Sequence, residues 1–148
     1  MRANELMIND LIYDTINRRY GKVFTISLAE PLPIGYYFGV NSECYILERI
    51  AEPIPITPEI LEANGFYMVK GDESENIAKP DVWVYEKEDK VIVIGLKEGD
   101  FASFEIYNNR RSTSFTDSVC VSELQHAMRT MGMHELADNF IIEKGGAQ

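Results

Sequence analysis

At 148 residues, 45% of them hydrophobic, the chain can close one ordinary domain, or two very small ones, around a packed interior. Fourteen basic residues against 24 acidic ones leave a net charge of −10, a field that repels a phosphate backbone and disfavours nucleic-acid binding. No apolar run approaches the roughly 18 residues of a membrane span, and the opening MRANELMIND lacks the apolar stretch of a secretion signal. A cytoplasmic protein is expected, with Cys44 and Cys120 as reduced, buried thiols.

The first predicted strand centres on Leu11-Ile12-Tyr13, and Asn17 to Gly21 reads as a polar turn closing a hairpin. The return strand is Lys22 to Leu28, where Val23, Thr25 and Ser27 alternate with Phe24, Ile26 and Leu28. Pro31 and Pro33 make PLPIG a connection, because proline cannot donate to a sheet ladder. Tyr36 to Val40 and Tyr45 to Ile50 follow as strands joined through Asn41-Ser42. Four short strands with tight turns predict a small curled antiparallel sheet, with an SH3-like barrel as one form of it.

Glu52 to Ile56 is extended, since a residue before proline is pushed out of the helical region. A short helix then has every terminal signal: Thr57 as N-cap, Pro58 at the first helical position, Glu59 facing the dipole, and Asn64-Gly65 as the stop. Phe66 to Val69 begins a second antiparallel sheet, and Gly71 to Pro80 is a charged loop. Asp81 to Glu86 and Val91 to Leu96 form a hairpin turning over residues 87 to 90, and Phe101 to Tyr107 is a further strand. Asn108 to Asp117 reads as a long polar loop. Val119 to Val121 is extended, and Ser122 with Gln125 forms a capping box opening a C-terminal helix. Leu124, Ala127, Met128 and Met131 share one face of it, and Gly132 ends it. Phe140 to Ile142 is expected to add a last strand. The fold class is therefore α+β, with a small sheet over residues 1–56 and an α+β portion over 57–148, or one continuous domain.

Three stretches, ELMINDLIYD (Glu5 to Asp14), EPIPITPEILEANGF (Glu52 to Phe66) and VSELQHAMRTMG (Val121 to Gly132), carry a likeness. In this order they resemble a family of small uncharacterised proteins of Bacteroidales genomes and their phages and prophages. The middle box is the most specific of the three. The opening departs from the family pattern, with Asn9-Asp10 where Gly-Asn is usual. The resemblance implies an organisation and a phage-associated context, and no activity.

Residues able to carry chemistry are few. His126 and His134 are eight apart with Gly132 between them, so no single helix presents both to a metal. Neither a nucleophile elbow nor a phosphate-cradling glycine loop is present. No catalytic residue, metal site or cofactor is assigned. Two basic groups stand out in an acidic chain: Arg18, Arg19 and Lys22 at one hairpin, and Arg110 with Arg111 among amide and hydroxyl residues. Arginine forks suit a phosphate or carboxylate ligand, although turn arginines commonly only solvate a fold. Tyr36 and Tyr37 offer either a stacking platform or strand packing. The leading expectation is a non-catalytic binding protein of phage or prophage origin acting on a protein partner, with a homo-oligomer as another form of assembly. A binder of an anionic, nucleotide-like small molecule is the alternative. A small metal-dependent hydrolase, drawing on Cys120, Asp117 or Glu123 beside the histidines, is the third.

Overall fold

The computed structural model describes residues 1–39, 42–69, 81–97, 100–109, 111–115 and 119–142, with the side chains of 100–102 and 115 left aside. The expected charged loop at residues 71–80, together with Val40, Asn41, Arg110 and Asp117, lies outside the described residues.

The N-terminal sheet has five strands: β1 (Leu11–Asp14), β2 (Arg19–Ile26), β3 (Ile34–Tyr37), β4 (Glu43–Ile46) and β5 (Ala51–Glu52). They lie antiparallel in the order β4-β3-β2-β1-β5, so the last short strand returns to the first. No pairing links β4 to β5 among the described residues, which leaves a curled open sheet in place of a closed barrel. Several expected boundaries move. Arg19 to Gly21 belongs to β2 and not to the turn, because Arg18 takes up the reversal with φ of 52°. Ile34 and Gly35, read as connection, begin β3. The expected strand Tyr45 to Ile50 divides into the end of β4 and a 3-10 turn at Glu48–Ile50. The inner face is closed by Ile12, Val23, Ile34, Tyr36 and Ile46, packed under Ala3 and Leu6.

Helix α1 (Pro58–Ala63) forms as its local signals predict. The Thr57 hydroxyl accepts from the Ile60 N–H, and Gly65 reverses the chain at φ of 87°. The second sheet comprises β6 (Tyr67–Val69), β7 (Asp81–Lys87), β8 (Lys90–Lys97), β9 (Asp100–Asn108) and β10 (Arg111–Phe115), in the order β10-β9-β8-β7-β6. The β7–β8 turn is tighter than expected, since Lys87 pairs with Lys90 and Glu88 adopts φ of 59°. The long loop expected over Asn108 to Asp117 gives way, among its described residues, to a strand. Arg111 to Phe115 is an edge strand paired with β9, turning through Asn109 at φ of 59°.

Two helices cover the second sheet's core, α2 (Val121–Thr130) and α3 (His134–Asp138), the latter unforeseen. Leu124, Ala127 and Met128 of α2 and the following Met131 are buried as their spacing predicts, against Ile92, Ile94, Phe104 and Ile106. Fully burying a side chain of this size contributes about 1.5–3 kcal/mol. Gly132 ends the segment at φ of 80°. The expected capping box does not form. Cys120 is the N-cap, without a side-chain cap bond, and both Ser122 and Gln125 are buried. Phe140 to Ile142 forms no strand either. Asn64 replaces the ladder, accepting from the Ile141 N–H at 2.8 Å and donating to its carbonyl at 2.7 Å.

Packing crosses the expected boundary at residue 56, because Leu11, Ile54 and Ile56 belong to the cluster beneath the second sheet. Gln125 adds a buried polar link with three hydrogen bonds. Its amide oxygen takes the Leu11 N–H, and its amide nitrogen donates to the Asn9 and Ala137 carbonyls.

Candidate binding site

Strand alternation decides which aromatics face outward. Tyr36 points inward and is fully buried, which removes it as an exposed stacking platform, whereas its neighbour Tyr37 is 42% exposed. On the outward face Phe24 of β2 stacks on Tyr37 at 4.3 Å between centroids and meets Tyr45 of β4 edge-on at 5.8 Å. Gly35, between them, permits this. A Cβ there would stand 2.9 Å from the Tyr45 ring, 3.1 Å from Phe24 and 2.5 Å from the Thr25 methyl. Phe24 and Tyr45 form one wall of a groove of about 690 Å³, and Pro31, Leu32 and Pro33 form the other. Among the described residues Glu30 is the only charged one lining it, and the nearby Leu28 and Leu32 are exposed. Volume and lining suit a segment of apolar or amphipathic ligand.

Of the two basic groups, the described residues bring only Arg19 and Tyr36 together. Arg19 Nε donates to the Tyr36 hydroxyl at 3.0 Å, and its guanidinium lies 3.2 Å from the Phe38 ring centroid. Tyr36 in turn donates to buried Asp14, which also accepts from the backbone N–H groups of Ile16 and Asn17 and from the Asn17 amide. Burial pushes the Asp14 carboxyl up, but these donors outweigh it and hold the group below the usual carboxylate range. Burial and the same Asp14 contact push the Tyr36 phenol well above its ordinary value. Lys22 reaches away from this cluster and donates to the Asp138 carbonyl, and burial lowers its ammonium pKa. Arg18 is an exposed turn residue, and Arg111 is exposed on β10 in the other sheet. Arg110 lies outside the described residues.

A second charged cluster sits where the N-terminal segment meets α2. Asp10 is fully buried and contacts His126 Nε2 at 2.5 Å, the Met7 N–H at 2.7 Å and the Arg129 guanidinium at 2.7 Å. Arg129 also reaches Asp138 at 3.2 Å. His126 is thus a half-buried partner of a carboxylate, while His134 lines a separate cleft with Tyr85 and Lys90. Among the described residues no three His, Cys, Asp or Glu side chains converge as a metal would require. Both cysteines are free and half-buried, less enclosed than expected, and Cys120 meets the Ser122 hydroxyl at 3.2 Å. No helix among the described residues is long and apolar enough to cross a membrane.

Sequence reasoning missed Phe24, Tyr45 and Glu30 as groove residues. The signal was a register: Phe24, Tyr37 and Tyr45 share a face only once β3 is known to begin at Ile34. Compared with known protein families, curated proteins and solved structures, the chain matches none.

Proposed function

We propose that this chain is a non-catalytic binding protein that holds a protein partner against the aromatic face of its N-terminal sheet. The observation that carries the reading is the outward cluster of Phe24, Tyr37 and Tyr45 beside a groove walled by Pro31, Leu32 and Pro33. Tyrosine and phenylalanine are the side chains enriched in protein interfaces, where large rigid rings bury area at small conformational cost. The likeness to phage and prophage proteins of Bacteroidales supports a phage-associated role, and the two unpaired thiols suit the reducing cytoplasm. The engagement of Arg19 with Tyr36 and of Lys22 with Asp138 weighs against the anionic-ligand alternative, because both cations already have acceptors.

Site-specific photo-crosslinking tests the reading. A photoreactive side chain is placed at Leu32 in the groove and, as a control of similar exposure, at Tyr107 on the second sheet. Adducts with a discrete protein at position 32 and none at 107 are expected in cells producing the chain. Equal labelling at both positions, or none at 32, sinks it.

A further inference from the structure

We infer that the groove between the Phe24–Tyr45 wall and the Pro31–Pro33 turn takes an extended peptide segment bearing lysine or arginine. This rests on the binding face proposed above and names the chemistry of its occupant. Among the described residues Glu30 is the only acidic or basic side chain lining the groove, and it is acidic. Glu43, exposed on β4, sits opposite Tyr37 in register and shares the outward face with Tyr45. The basic residue nearest to this face in register, Lys22 opposite Tyr37, has its ammonium on the Asp138 carbonyl. Around this local field the whole chain carries −10. A cationic segment is therefore steered to the groove and an anionic one is repelled.

The rings extend the same preference. An aromatic face attracts a lysine or arginine cation within about 6 Å of its centroid, and Phe24, Tyr37 and Tyr45 present three adjacent rings. An extended chain suits a groove between flat rings and a proline-bounded turn, since a preformed extended segment loses little entropy on docking.

A displayed random-peptide library tests this. It is selected on the intact chain and counter-selected on Tyr45→Ala, with the exposed-loop variant Leu32→Ser as a second control of the groove. The expected winners are rich in Lys or Arg. They should bind Glu30→Lys about tenfold or more weakly and lose affinity between about 0.1 and 1 M salt, as the screening length falls from about 10 to 3 Å. Peptides that require Tyr45 and Leu32 yet show no basic bias and ignore Glu30 overturn the charge assignment and leave the binding face standing. If no peptide distinguishes the intact chain from both groove variants, the binding face falls as well.

Discussion

Gln125 of α2 accepts a hydrogen bond at 3.0 Å from the backbone N–H of Leu11, 114 positions earlier in the chain. The same amide donates to Asn9 and Ala137 carbonyls, so one buried side chain ties the first strand and the segment before it to the C-terminal helices. Gln125→Ala leaves a buried N–H without its acceptor, at a cost of about 1–3 kcal/mol for that group alone. Urea melts should give a total loss of about 2–4 kcal/mol. A loss below half a kcal/mol, on the scale of an ordinary surface change, would show that the amide tethers nothing.

Asp10 and Arg129 should behave as a coupled pair. Arg129→Ala strips a fully buried carboxylate of its nearest guanidinium, a change of about 3–5 kcal/mol. Asp10→Asn keeps an acceptor and leaves Arg129 its contact with Asp138, so it should cost less. The double variant should depart from additivity by about 0.5–3 kcal/mol. Additive losses would mean that the two groups do not interact in solution.

How much of this was legible depends on where each residue's partners lie in the chain. Helix α1 was readable because Thr57, Pro58 and Gly65 act on their own neighbours. The Ser122–Gln125 pair met the local pattern of a capping box, but residues more than a hundred positions away recruit Gln125. Phe140 to Ile142 looked like a strand because it is apolar. It is buried instead through Asn64, whose side chain imitates a neighbouring strand's backbone. Strand β10 was hidden for the opposite reason, since an edge strand with exposed Arg111, Ser112 and Ser114 has the composition of a loop. The groove needed strand register, which no single segment contains.

Asp14 sets an expected pH dependence. Its folded pKa is depressed, so its contribution is present above the ordinary carboxylate value of about 4 and is lost as pH falls through the lower folded value. Melting temperature should therefore drop on acidification below about pH 4, and should drop less for Asp14→Asn. Tyr36→Phe removes one of the donors and should weaken the native protein by about 1–3 kcal/mol near neutral pH. An acid profile unchanged by Asp14→Asn would remove this group from the account.

Two glycines are required by rings from a neighbouring strand. A Cβ at Gly21 would fall 2.0 Å from the buried Tyr36 ring, and one at Gly35 would press on Thr25, Tyr45 and Phe24. Gly21→Ala meets an immobile core residue and should lose about 1–3 kcal/mol or more. Gly35→Ala meets the half-buried Thr25 methyl at 2.5 Å and two partly exposed rings, a milder overlap than the 2.0 Å at Gly21, so it should lose less stability while disordering the groove. Chemical denaturation of the two variants checks the ranking, and the reverse order would contradict the inward and outward assignment of β3.

The central claim is that the aromatic face of the N-terminal sheet is where a partner binds. Amide chemical-shift mapping tests it most directly, with the isotope-labelled chain titrated by the tightest library peptide. Shifts concentrated on Phe24, Leu32, Gly35 and Tyr45 are the predicted result. Shifts centred on α2 or on the second sheet, with those four residues unmoved, would contradict it.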